Sequence, residues 1–173
     1  MQKFHLQDDG TYPNNKLPVL YYEKAFEHTN TMRDVFESNH WRNSWVNGIF
    51  PYHHYHSTAH EVLGVMSGHA TVLLGGPDGE QLNISRGDVI VLPAGTAHKR
   101  IQQSNDFQVL GAYPDGMSFD TKTDKQGEYD QALQQIPNVP IPKQDPVTGN
   151  SIWRSLHLSR CSYPQETKTF FQN

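Results

Sequence analysis

The chain has 173 residues, enough for one domain with a real core. A formal net charge of −4, a sequence pI near 6.2 and the absence of any block of like charge argue against nucleic acid and membrane surfaces as partners. Cys161 is the sole cysteine, which excludes an intramolecular disulfide and a metal site built on clustered thiolates.

Residues 1–6 carry no apolar signal-peptide core, and no apolar run approaches the roughly 18 residues of a membrane span. A soluble, cytoplasmic protein is expected. In chain order, residues 4–6 read as a short strand, 11–15 as a Pro/Asn turn, 19–22 as a second strand, and 25–38 as a helix with Phe26, Met32, Val35 and Phe36 on one stripe. From Trp41 onward, Gly and Pro interrupt short apolar runs every 8 to 12 residues, the pattern of an antiparallel sandwich or barrel. Strands are expected over 41–51, 60–66, 69–74, 80–84, 89–92, 98–102 and 107–113, with turns at 75–79 and 113–116. Residues 125–135 read as a polar surface helix. Pro137, Pro140, Pro142 and Pro146 then prevent regular structure. In the tail, Trp153, Leu156 and Leu158 would pack back on the barrel or across a dimer interface.

Five of the ten histidines (His53, His54, His56, His60 and His69) fall within seventeen residues. A metal site, a catalytic centre and a solvated loop would all look like this in composition; spacing separates them. His54 and His56 are two apart, and on a strand such residues share a face. Glu61 opens the next strand and can face the same point. Further on, Gly87 and Asp88 turn the chain into residues 89–92, and Pro93 to Gly95 turn it back. His98, at the start of the returning strand, can supply a third imidazole. Imidazole with carboxylate suits divalent Fe, Mn, Co, Ni, Zn or Cu.

His53 and His60 have the opposite parity and point away, unless a bulge turns His60 inward as a ligand or ligand partner. His69 reads as a surface residue. Inward parity also marks Arg42, Ser44, Val46, Phe50 and Tyr52 on the first strand and Arg100 and Gln102 on the strand of His98. Tyr52 and Arg100 are the candidates for orienting or binding an anionic substrate, because a guanidinium matches a carboxylate. Phe50, Leu63, Val65, Val89 and Val91 read as core, and Trp41 and Trp45 as barrel packing or dimer interface.

Gly48, His54, His56, Glu61 and Gly68 together resemble the first sequence motif of the cupin superfamily without a gap, and Gly87, Pro93, Gly95 and His98 resemble the second. Gln102 stands where that motif ends in Asn. Residues 53–64, 87–99 and 111–116 are similar to those of the bacterial YjlB-like cupins. The resemblance implies an all-β jelly-roll barrel with short peripheral helices and a metal held inside by His54, His56, Glu61 and His98. It implies a core over 41–113, with extensions at 1–40 and 114–173 packing on it as part of one domain. The metal would be Fe or Mn by preference, with Zn, Ni, Co or Cu admissible, and a homodimer is expected. The leading functional reading is a metal-dependent oxidoreductase of the dioxygenase type acting on a small anionic or carbonyl compound. A small-molecule or sugar-binding cupin without catalysis, and a metal-dependent isomerase or decarboxylase, are the alternatives.

Overall fold

Alternating side chains along the central strands divide the apolar residues between two cores, and that division sets the architecture. The computed structural model describes residues 1–161, with side chains as far as Leu156. Within it lie strands β1 (Gln2–Phe4), β2 (Val19–Tyr22), β3 (Trp41–Asn47), β4 (Glu61–Ser67), β5 (His69–Leu74), β6 (Glu80–Ser85), β7 (Val89–Leu92), β8 (His98–Gln103) and β9 (Gln108–Pro114). Helices α1 (Met32–Ser38), α2 (Glu128–Gln135) and α3 (Ile152–Cys161) accompany them. The strands form an antiparallel six-stranded sheet in the order β1-β2-β7-β4-β9-β3 and a three-stranded sheet in the order β6-β5-β8. This is the double-sheet arrangement expected of a jelly roll.

On the large sheet, Tyr21, Leu63, Val65, Ile90, Leu92 and Val109 point toward the small sheet and meet Ala70, Val72, Leu74 and Ile84. Their strand neighbours Leu20, Val62, Val89, Val91, Leu110 and Ala112 point the other way, under Met32 and Phe36 of α1. Both faces of the large sheet are therefore apolar, which explains why β7 reads as an unbroken run of Val, Ile and Leu. Gly64 lets α1 approach, since a Cβ there would stand 2.1 Å from the Met32 sulfur.

Several expected boundaries shift for local reasons. The strand expected over 41–51 leaves its ladder after Asn47, just before Gly48, and Pro51 has no N–H with which to extend it. Within β3 the pairing slips between Arg42 and Trp45, where Asn43 takes a left-handed φ of 55°. This bulge undoes the expected parity: Trp41 lies in the outer core and Trp45 turns to the inner one. Arg42, Val46, Phe50 and Tyr52 are exposed rather than inward, so Phe50 is not core. A second slip between Thr71 and Val72 puts Arg100 and Gln102 on opposite faces, and Gln102 bonds outward to Thr71. The helix expected from residue 25 begins at Met32 after a 3-10 turn, because the Phe26 N–H is engaged by the Gly87 carbonyl. The helix expected from 125 starts at Glu128, after Gly127 at φ 84°.

The tail packs back on the large sheet. Trp153 is 4% exposed, lies 6.5 Å from the Trp41 ring, and donates its indole N–H to the Pro18 carbonyl. The Leu158 side chain and residues 162–173 lie outside the described ones. Among the described residues, no helix is long and apolar enough to cross a membrane. Truncation of Trp153 to Ala would empty a closed part of the outer core. We expect a loss of about 3–5 kcal/mol in unfolding free energy, measured by urea denaturation.

Candidate metal centre

Residues 48–60, between β3 and β4, carry the first two histidines. The segment bends at residues 51–52 and 57–58 and is pinned on both sides between them. His54 exchanges both backbone hydrogen bonds with His98, and Tyr55 does the same with Lys122. Neighbouring residues thus pair in opposite directions. The alternation aims His54 and His56 into the space between the sheets and turns Tyr55 away, as the two-residue spacing predicts. Glu61, the first residue of β4, and His98, the first of β8, face the same space.

The Nε2 or Nδ1 atoms of His54, His56 and His98 include a set lying within 4.8 Å of one another, and all three residues are buried. Each Nδ1 meets a backbone carbonyl: that of Tyr52 for His54 at 3.2 Å, of Asp120 for His56, and of Thr96 for His98 at 3.0 Å. A carbonyl only accepts, so each Nδ1 carries the proton and each Nε2 keeps its lone pair. Glu61 Oε2 lies 3.3 Å from His56 Nε2 and 3.5 Å from His98 Nε2.

Electrostatics follow from burial. Burial holds the His54 imidazole neutral, with its pKa down at about 3. Burial pushes His56 down as well, but the Glu61 carboxylate outweighs it and raises the pKa above its ordinary 6.5. Burial pushes the Glu61 carboxyl up, and His56 and His98 more than reverse that, so it is held well below the usual carboxylate range.

Glu61 Oε1 accepts the Tyr113 hydroxyl at 2.8 Å, whereas Oε2 is buried with no hydrogen-bond partner. An ionised oxygen without a partner in a dry interior is costly. Here it stands beside three imidazoles whose lone pairs are free, and one cation satisfies all four groups. The residues fit a divalent transition metal.

A cavity of about 610 Å³ opens onto these four residues, and Trp45, Arg100 and Phe119 also line it. Arg100 is half-buried, with its Nε bonded to the Ile49 carbonyl at 3.1 Å. Tyr52 stands at the rim, 48% exposed, stacked on Phe50 at 5.0 Å and outside the cavity lining. His60 faces the opposite side of the sheet: its ring lies 5.0 Å from Trp153, and its Nδ1 accepts the Ala94 N–H. It does not join the other histidines. His53 also turns away, against Tyr12, and His69 is exposed.

Sequence reasoning did not single out Tyr113, Phe119 or Asp120. Trp45 Nε1 donates to the Tyr113 hydroxyl at 2.7 Å, and Phe119 stacks on the Tyr113 ring at 4.3 Å. Asp120 receives the Ser57 and Thr58 N–H groups and so fixes the loop that carries His56. Tyr113 had one available signal, its shared parity with Val109 on β9. Asp120 had none, because the Ser57 and Thr58 N–H groups that it receives lie more than sixty positions away.

The family model described as cupin matches residues 40–136. The uncharacterized protein YjlB of Bacillus subtilis (strain 168) is 41% identical over 149 residues, covering 86% of this chain and 90% of that one. Among solved structures, an acireductone dioxygenase from Bacillus anthracis with cadmium in its active centre is 20% identical. It is matched over 58% of this chain and 79% of its own, with a TM-score of 0.39. A TDP-quinovose 3,4-ketoisomerase from Campylobacter jejuni is 18% identical over 54% and 75%, with a TM-score of 0.41. With both motifs in place on a double-sheet barrel, and with a family model that matches more than half of it, the chain belongs to the cupin family.

Proposed function

We propose that this cupin holds one divalent metal through His54, His56, Glu61 and His98, and that it is an oxidoreductase of the dioxygenase type acting on a small anionic or carbonyl compound. The observation that carries the reading is the buried, unpartnered Glu61 Oε2 among three Nδ1-protonated imidazoles. Iron or manganese is favoured over zinc, nickel, cobalt and copper because the reading is redox, and three nitrogens with one carboxylate would leave coordination positions for a ligand. When bound, such a metal supplies Lewis acidity and, if redox-active, a route for dioxygen.

The protein's own residues have separate tasks in this reading. The carbonyls of Tyr52, Asp120 and Thr96 orient the imidazoles. Tyr113 engages Glu61 Oε1, so Oε2 is the oxygen that would be offered to a metal. Arg100 offers its terminal nitrogens to an anionic group, and Tyr52 borders the approach. Ile49, Leu63 and Phe107 exclude water from the inner wall. With His60 directed to the other side of the sheet, no fourth imidazole among the described residues would close a metal shell, which favours catalysis over inert binding.

Protein purified without chelator or nickel affinity should contain close to one iron or manganese per chain, and His56→Ala should lose it, as read by mass spectrometry. Oxygen uptake with a bound substrate then tests the redox reading. Stoichiometric zinc would redirect it to isomerase or decarboxylase chemistry, and no metal after anaerobic reconstitution would end it.

Tyr113→Phe removes the one hydrogen bond to Oε1 and leaves a second carboxylate oxygen unpaired. Metal affinity should fall about 10–100-fold in chelator competition.

Proton release provides a further test. Without metal, His56 is protonated below its raised pKa, whereas His54 is already neutral and Glu61 already ionised. Metal takes the neutral imidazole, so binding should expel a proton from His56 below its raised pKa and release less as the pH rises through it. Calorimetry in buffers of different ionisation enthalpy measures this directly.

A further inference from the structure

The cavity's walls carry more information than its metal ligands. Among the described residues, Arg100 is the only lysine or arginine that lines it, and Glu61 the only carboxylate. Glu61 is turned to His56 and His98, on the side of the histidine cluster. The charge of Arg100 is met by no carboxylate among the described residues. Its Nε is spent on the Ile49 carbonyl, which fixes the stem and leaves the two terminal nitrogens for a ligand. A half-buried guanidinium held this way beside a cavity is a receptor for a carboxylate.

The mouth is aromatic. Phe50 is 49% exposed and stands edge-on to His54 at 5.0 Å; Phe119 is 40% exposed and stands edge-on to His56 at 4.9 Å. Two phenyl rings thus flank neighbouring imidazoles, Phe50 backed by Tyr52 and Phe119 by Tyr113, and their remaining surface is open to a ligand. Trp45 adds a third aromatic ring to the lining. The neutral polar side chains suited to a sugar, Asn47, Gln103, Gln108 and Thr121, are all exposed, and the buried wall of Ile49, Leu63 and Phe107 is apolar. A polyhydroxylated ligand would leave its hydroxyls unpaired against that wall.

We propose that the cavity is built for a planar aromatic carboxylate, with its carboxylate on Arg100 and its ring against the aromatic side chains of Phe50, Phe119 and Trp45. His98 and Arg100 lie two residues apart on β8 and line the same cavity, so a ring acid held by Arg100 enters the space that the histidine cluster faces. The proposal rests on the reading of this cavity as the substrate site of the metal centre, and its test separates the two.

The test is calorimetric titration of the full chain with 4-hydroxybenzoate, cyclohexanecarboxylate and gluconate, with metal content assayed on the same sample. The aromatic acid should bind about tenfold tighter than its saturated counterpart, and gluconate weakest. Phe119→Ala should narrow the advantage of the aromatic acid over cyclohexanecarboxylate, and an advantage left unchanged would count against the aromatic wall. Arg100→Gln should weaken both ring acids by about tenfold or more. Equal affinities for the two ring acids, tighter binding of gluconate, or no binding of the aromatic acid to fully metal-loaded protein would overturn the proposal and leave the metal site standing. Aromatic preference in protein that takes up no metal would support it while removing the metal reading.

Discussion

A carboxylate that is 2% exposed between two sheets must be surrounded by groups that tolerate its charge, and Glu61 imposes that demand on everything near it. One oxygen is satisfied by the Tyr113 hydroxyl, which receives the Trp45 indole N–H in turn. Trp45 reaches that hydroxyl because β3 bulges at Asn43 and because β9 has Gly111 opposite, where a Cβ would stand 2.2 Å from the indole ring. The other oxygen faces His56 and His98. Bulge, glycine, indole, phenol and imidazoles form one connected support for a single charged group. Its members come from β3, β4, β8, β9 and the loop of His56.

The chain separates rigidity from chemistry in space. The two apolar cores hold the large sheet from both sides, so the first residues of β4 and β8 are fixed where they enter the barrel. The histidines of residues 48–60 sit on a segment with almost no ladder of its own. It is held by paired backbone bonds to His98 and Lys122 and by the Asp120 carboxylate at Ser57 and Thr58. A loop positioned by a rigid scaffold is where a binding site is expected. Here residues 117–122 play the supporting part: they provide the carbonyl that orients His56 and the Phe119 ring at the cavity mouth.

His60 shows how position on a sheet decides the fate of a residue type. It is adjacent to Glu61 and more deeply buried than His54 or His56, yet it belongs to the outer core. Burial holds its imidazole neutral, with a pKa down at about 4; its Nδ1 accepts the Ala94 N–H and its ring packs on Trp153. The same side chain one position along the chain is packing on one face and chemistry on the other.

Much of this was legible in the amino-acid sequence, because local rules govern it. Strand β7 and the turns around Gly87 and Pro93 follow from apolar runs broken by Gly and Pro. The approach of His54, His56, Glu61 and His98 to one point follows from the two-residue period and from short connections. What the sequence could not convey depends on how strands register. A bulge adds one residue and inverts the parity of the rest of its own strand, so Val46 moved to the surface, Gln102 left the face of Arg100, and Trp45 entered the interior, while Phe50 and Tyr52 lie past the end of β3 at the surface. The partnerships of Asp120 with Ser57 and of Tyr113 with Glu61 span 63 and 52 positions. Pairings at that distance are set only when the sheets close on each other, and no local pattern of residues encodes them. The sequence by itself determined the donor set and the barrel; the tertiary structure decided which face each side chain took, and therefore what surrounds the donors.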